Sequence, residues 1–186
     1  MESIKRKIIY LFIALLAAIV TTWYAFYVGL NPPMGFLVGC ACAYLGAFAV
    51  SCFLKVPDFL YVFTLVFVYL ASPLGSIMNF YRAIGPYDKI VHFISGILIA
   101  CFGYVVIRKL LAGKEGKLAV ISGLFVFLFA SSGAGLWEIF EYVTDLISQG
   151  GMQRGMVDTV TDMIAGNLGG LLSGAFVYFK MRNKGF

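Results

Sequence analysis

Carboxylates and one histidine recur in this chain at spacings that place pairs of them on single helix faces. Asp88 precedes His92 by four residues in YDKIVHF, Glu138, Glu141 and Asp145 stand in WEIFEYVTD, and Asp158 and Asp162 stand in DTVTD. On a helix, residues three, four or seven apart share a face, so each set presents its acids in one direction. His92 is the sole histidine, and these six acids are most of the nine in the sequence. Carboxylate oxygens with one imidazole form a hard to borderline ligand set. It suits a divalent cation such as Mg²⁺, Mn²⁺, Zn²⁺, Fe²⁺ or Ca²⁺. The expected metal ligands are His92, Glu138, Glu141, Asp158 and Asp162. Asp88 and Asp145 are the candidate catalytic bases, and Arg82, Lys89 and Arg154 the candidate contacts to an anionic substrate.

All of these residues adjoin or interrupt long apolar stretches. A carboxylate at mid-bilayer costs about 2.5–3.5 kcal/mol on the mildest scale, so acids there usually line a site or pathway. Two other readings use the same residues. One is a proton or cation path, which in a chain this small requires a homodimer. The other is a polar network that only specifies how helices pack, as in a membrane assembly subunit. For Asp88 and Asp158 a helix-capping role competes as well. Asn167 is expected to hydrogen-bond between helices, and Asp58, beside Lys55, to cap a helix. Tyr81, Tyr87, Trp137 and Tyr142 are expected to be aromatics of the interfacial belt.

The elements that must position these groups are transmembrane helices. The chain of 186 residues is 61% hydrophobic and 12% charged, with a mean hydropathy of +0.93. A soluble domain is about a quarter charged, so composition excludes a soluble catalytic domain. The net charge of +5 comes from basic residues in short groups between apolar runs, a pattern of topology signals rather than of nucleic-acid binding. About 20 apolar residues are needed per span. Six spans fit, at 8–28, 35–54, 58–79, 89–109, 118–145 and 158–180. Lys5-Arg6-Lys7 before the first run has the look of a signal peptide, but the run reaches Val28 and is read as a first helix. Asn31-Pro32-Pro33 and Lys55-Val56-Pro57-Asp58 punctuate the first half, and Ser72-Pro73-Leu74-Gly75 loosens the third span. Residues 112–117 and the stretch from Gln149 to Gly155 are the remaining connections. The four cysteines lie inside apolar runs and are read as small hydrophobic residues.

The fold class is therefore all-α, a polytopic membrane protein of six transmembrane helices. Its halves are 1–80, an N-terminal three-helix part, and 81–186, the part carrying the acidic cluster. Eleven of the fourteen basic residues fall on one side of this threading; Arg82, Lys89 and Arg154 fall on the other. The positive-inside rule then puts both termini in the cytoplasm and the three acidic sets near the outer surface. Small residues continue each set, as in Ser95, Gly96, Gly166 and Gly169, which lets membrane helices approach closely.

The three motifs in order, YDKIVHFISGILIA, GLWEIFEYVTD and QRGMVDTVTDMIAGNLGGLLSG, resemble the YjdF-like family of small bacterial inner-membrane proteins, a domain of unknown function. The likeness covers residues 85–175, about half of the chain. The DKxxHF piece alone is similar to VanZ-like membrane proteins. The resemblance implies a multi-pass protein of the bacterial plasma membrane and brings no reaction with it. The residues themselves point to a metal-dependent enzyme acting on a lipid-borne phosphate or polyprenyl substrate within the bilayer.

Overall fold

The computed structural model describes residues 2–111, 118–148 and 151–183. Every regular element among them is helical. The helices are α1 (Glu2–Tyr27), α2 (Met34–Phe53), α3 (Asp58–Tyr69), a π-helical segment (Leu70–Ile77), α4 (Phe80–Ala83), α5 (Tyr87–Leu111), α6 (Ala119–Ser148) and α7 (Met156–Arg182). Six are long and apolar enough to cross a membrane, counting α3 with its π segment. Lipid offers no hydrogen bonds to the backbone, so apolar runs of this length satisfy their own amides as helices. The expected six-span, all-α architecture is what the chain forms. The 112–117 connection and Gln149-Gly150 lie outside the described residues.

The breaks have local causes. After α1, the Leu30 amide reaches the Ala25 carbonyl (2.9 Å) while Gly29 takes φ +85°, a Schellman end that needs a left-handed residue. The same end closes α2: the Val56 amide bonds to the Ser51 carbonyl at 2.9 Å, but the left-handed residue is Lys55, at φ 51°. Pro33 and Pro57 then stand immediately before α2 and α3. Pro73 lacks an amide hydrogen and crowds the preceding turn, and there the third span widens into the π segment. The Leu70 carbonyl accepts the Tyr87 hydroxyl at 2.8 Å.

Two compact units divide the chain, Met1–Val91 and His92–Phe186, with the division inside continuous α5. In the first, Ala18 and Ala25 of α1, Cys40 and Tyr44 of α2, and Tyr61 and Leu65 of α3 form a buried core. Lys7 is buried there, donating to the Ser51 carbonyl at 2.7 Å over the Tyr61 ring. Asp58 is not the N-cap of α3, a position that Pro57 holds. It opens α3 behind Pro57 and binds the Arg6 guanidinium at 2.7 Å. No cysteine among the described residues is in a disulfide.

In the second unit α7 packs on α6 and α5 through small residues. A side chain added at Gly96 of α5 would strike the Gly166 carbonyl of α7, and one at Gly169 would strike the Phe93 carbonyl. At Gly170 it would meet the Ala130 Cβ of α6 at 2.7 Å. Backbones this close exclude any residue with a Cβ at Gly96 and Gly169. Large side chains such as Leu136, Leu168, Leu172 and Phe176 are exposed around this unit, where lipid covers them.

Candidate metal centre

The packing that brings α5, α6 and α7 together also converges their polar side chains. Gly166, one turn beyond Asp162, lies against the Ala134 side chain and near the His92 carbonyl, at 3.0 and 3.6 Å from its would-be Cβ. Small residues on one helix thus seat His92, one turn before Gly96, opposite Asp162 and Glu138. All three are buried: His92 is 7% exposed, Glu138 5% and Asp162 1%.

The imidazole is flanked on both nitrogens. Its Nε2 lies 3.8 Å from Asp162 Oδ1 and its Nδ1 lies 3.9 Å from Glu138 Oε1. Both separations exceed the 2.7–3.2 Å range of a hydrogen bond. Two ligands bound to one ion at about 2.0–2.2 Å each stand about 3–4 Å apart. Asp88, one turn before His92 on α5, completes a group: single ligand atoms of Asp88, His92 and Asp162 all lie within 4.8 Å of one another. Asp88 is also buried, and Lys89 Nζ approaches its Oδ2 at 3.3 Å. Such concentrated ionisable groups, taken out of water, are costly unless charge is compensated inside the cluster.

The other expected site residues make contacts of their own. Glu141, a half-buried residue, accepts the Trp137 indole N–H at 2.8 Å along its own helix. Asp145 accepts the backbone amides of Met152 (2.9 Å) and Gln153 (2.7 Å), which ties the segment before α7 to the end of α6. Asp158, in the first turn of α7, pairs at 3.1 Å with Arg154 of the segment before the helix. Arg82 is exposed on α4, and Lys89 attends Asp88. The Asn167 amide turns back to the Met163 carbonyl of its own helix at 2.7 Å instead of crossing to another. Tyr87, expected only as an interfacial aromatic, stands directly before Asp88 and is fixed by its bond to Leu70. No spacing signal marks it, because its acceptor is a backbone carbonyl seventeen residues earlier.

The Asp88–His92–Asp162 group has the donor set for a divalent cation, with Glu138 on the far nitrogen of the histidine. Comparison with known proteins agrees with the membrane architecture. An uncharacterized protein of Thermotoga maritima is 34% identical over 122 residues, covering 64% of this chain and 62% of that protein. The match thus spans less than two thirds of the relative's own length. No solved structure matches. Residues 8–183 match the profile of a family described as "Predicted membrane protein (DUF2238)". With nearly its whole length matched, and as the three motifs led one to expect, the chain belongs to this family of membrane proteins of unknown function.

Proposed function

We propose that this multi-pass membrane protein holds one divalent cation between Asp88, His92 and Asp162 and uses it for hydrolysis of a lipid-borne phosphate or polyprenyl phosphate ester. What carries the reading is the buried three-residue group with ligand atoms within 4.8 Å. His92 would ligate through Nε2, and its Nδ1, 3.9 Å from Glu138, would complete a carboxylate–histidine–metal arrangement once the two close to hydrogen-bond distance. Asp88 has the most accessible carboxylate of the trio, its side chain 10% exposed against 2% for Asp162. It would be the group that water reaches first, and the oxygen that it does not give to the cation would take the water proton. A bound cation lowers the pKa of its water to about 7. With a cation held there, hydrolysis would add the oxygen of that water to phosphorus and break the ester P–O bond, and the proton taken up by Asp88 would pass to the departing alcohol.

In this scheme Lys89, with Arg82 and Arg154, meets the anionic head group. Residues 81–186 are the half that carries the reaction and 1–80 the half that supports it. The site lies toward the outer face of a bacterial plasma membrane, with both termini cytoplasmic. Asp145 and Asp158 hold the α6–α7 connection and the start of α7, and Glu141 steadies Trp137. A cation path through the second unit gains less support, because beyond His92 the helices meet backbone to backbone at Gly96 and Gly169.

Elemental analysis of the detergent-purified protein tests the site. The expected result is about one divalent ion per chain, lost in both His92→Ala and Asp162→Asn while the elution profile on gel filtration is kept. An unmutated protein that folds without stoichiometric metal after supply of each candidate ion would overturn the metal site. Lipid-phosphate turnover in proteoliposomes, stopped by a chelator, then tests the reaction. Ion flux in place of turnover would reassign the site to transport.

A further inference from the structure

The ends of α5 and α7 remote from the acidic group carry a second charged feature. From His92 to Arg108 is sixteen residues of helix, about 24 Å at 1.5 Å per residue, so the two features lie at opposite ends of the unit. There Arg108 Cζ and Lys180 Nζ each lie 5.8 Å from the centroid of one ring, that of Tyr104. Lys180 Nζ also lies 5.6 Å from the Phe176 ring. Arg182 donates to the Tyr178 hydroxyl at 3.3 Å, and Lys109 follows Arg108. Arg108, Lys109, Lys180 and Arg182 are all exposed.

Part of this pattern has a plain cause: cations suit helix C-termini, and long basic side chains snorkel to the membrane surface. That accounts for basic residues at these ends. It does not account for two of them, from different helices, being held at a single ring. Two exposed cations repel when brought together, and ordinary snorkelling would spread them apart. The Tyr104 ring instead gathers one cation from α5 and one from α7, next to exposed apolar surface at Phe176 and Phe179. Converging cations above an apolar helix surface match a phosphodiester head group whose acyl chains run down that surface, and basic pockets between transmembrane helices bind such lipids.

We propose that Arg108 and Lys180, braced on Tyr104, bind the phosphate of an anionic phospholipid in the leaflet surrounding these helix ends. This site is separate from the metal group and stands whether or not that group binds a cation.

The test measures lipid retained by the full chain through purification in a neutral detergent, as the ratio of phosphatidylglycerol to phosphatidylethanolamine against that of the source membrane. The unmutated protein is expected to be enriched in phosphatidylglycerol. Each of Arg108→Gln and Lys180→Gln should lower the enrichment about fivefold. Tyr104→Phe keeps the ring and should retain it; Tyr104→Leu should lose it. Enrichment absent from the unmutated protein, or unchanged in Lys180→Gln, overturns the proposal. Should the variants not elute as single species, thermal unfolding of the unmutated protein decides. A larger rise in Tm with added phosphatidylglycerol than with phosphatidylcholine supports the site. An equal rise, or the same rise with inorganic phosphate alone, overturns it.

Discussion

Both nitrogens of His92 face acids contributed by different helices. The two acids are not equivalent. Asp162 belongs to the group with ligand spacing, whereas Glu138 stands behind the ring. Loss of a group that orients a ligand typically costs 10–100-fold in metal affinity, while loss of a ligand removes binding. Glu138→Gln is therefore expected to weaken the cation about 10–100-fold without abolishing it, as read by competition with a chromophoric chelator. Equal losses in Glu138→Gln and Asp162→Asn would place Glu138 in direct contact with the ion. The sequence made the DxxxH pair and Asp162 legible, since a four-residue step on a helix fixes a shared face. It made Glu138 and Glu141 look equivalent, and they are not. A three-residue step leaves Glu141 about 60° further round the helix, where Trp137 takes its carboxylate. The capture of Asp145 depends on where the amides of Met152 and Gln153 turn, and no periodicity encodes that.

At the scale of elements, helix existence was readable and helix irregularity was not. Six apolar runs of sufficient length leave the backbone one solution in lipid, so the spans fell close to their expected limits, except that the first begins at Glu2 rather than at residue 8. The Ser72-Pro73-Leu74-Gly75 stretch signalled loosening, but not that the chain would widen into a π segment and lend the Leu70 carbonyl to Tyr87. Lys55 is a further case. The break before Pro57 was expected, yet its geometry puts a lysine at φ 51°, where glycine is the usual occupant. A non-glycine residue in this region carries strain of about 1 kcal/mol, so Lys55→Gly should leave the Tm in detergent level or raise it despite the greater freedom of its unfolded chain. Gly96 presents the opposite case. Its missing Cβ lets α5 rest on the Gly166 carbonyl, and overpacking costs about 1–3 kcal/mol or more. Gly96→Leu is expected to lower the Tm in detergent and, by moving His92 away from Asp162, to lower metal content. A Gly96→Leu protein that keeps both would remove the close helix approach as the device that seats the site.

For the whole molecule the open variable is which way the chain threads the bilayer, because the proposed metal-bound water and lipid phosphate would have to be reached from one side. Charge decides this through the topology signal rather than through contacts, since insertion responds to Lys and Arg near the span ends. The segments containing Lys5, Arg6, Lys7, Lys55, Arg108, Lys109, Lys180 and Arg182 fall on one side of six spans, and those containing Arg82, Lys89 and Arg154 on the other. The cost of burying that bias in the wrong sense grows with every basic group that must cross. Single cysteines at Arg154 and Asn183, in a background lacking the four native thiols, are accessible positions that flank α7. A membrane-impermeant maleimide applied to intact cells should label the Arg154→Cys protein and spare Asn183→Cys until the membrane is opened. The reverse labelling would turn the acidic group toward the cytoplasm, and the substrate would then have to be a lipid of the inner leaflet. The anionic lipid site at Tyr104 would move with it to the outer leaflet, so this one experiment orients both features through the continuity of α5.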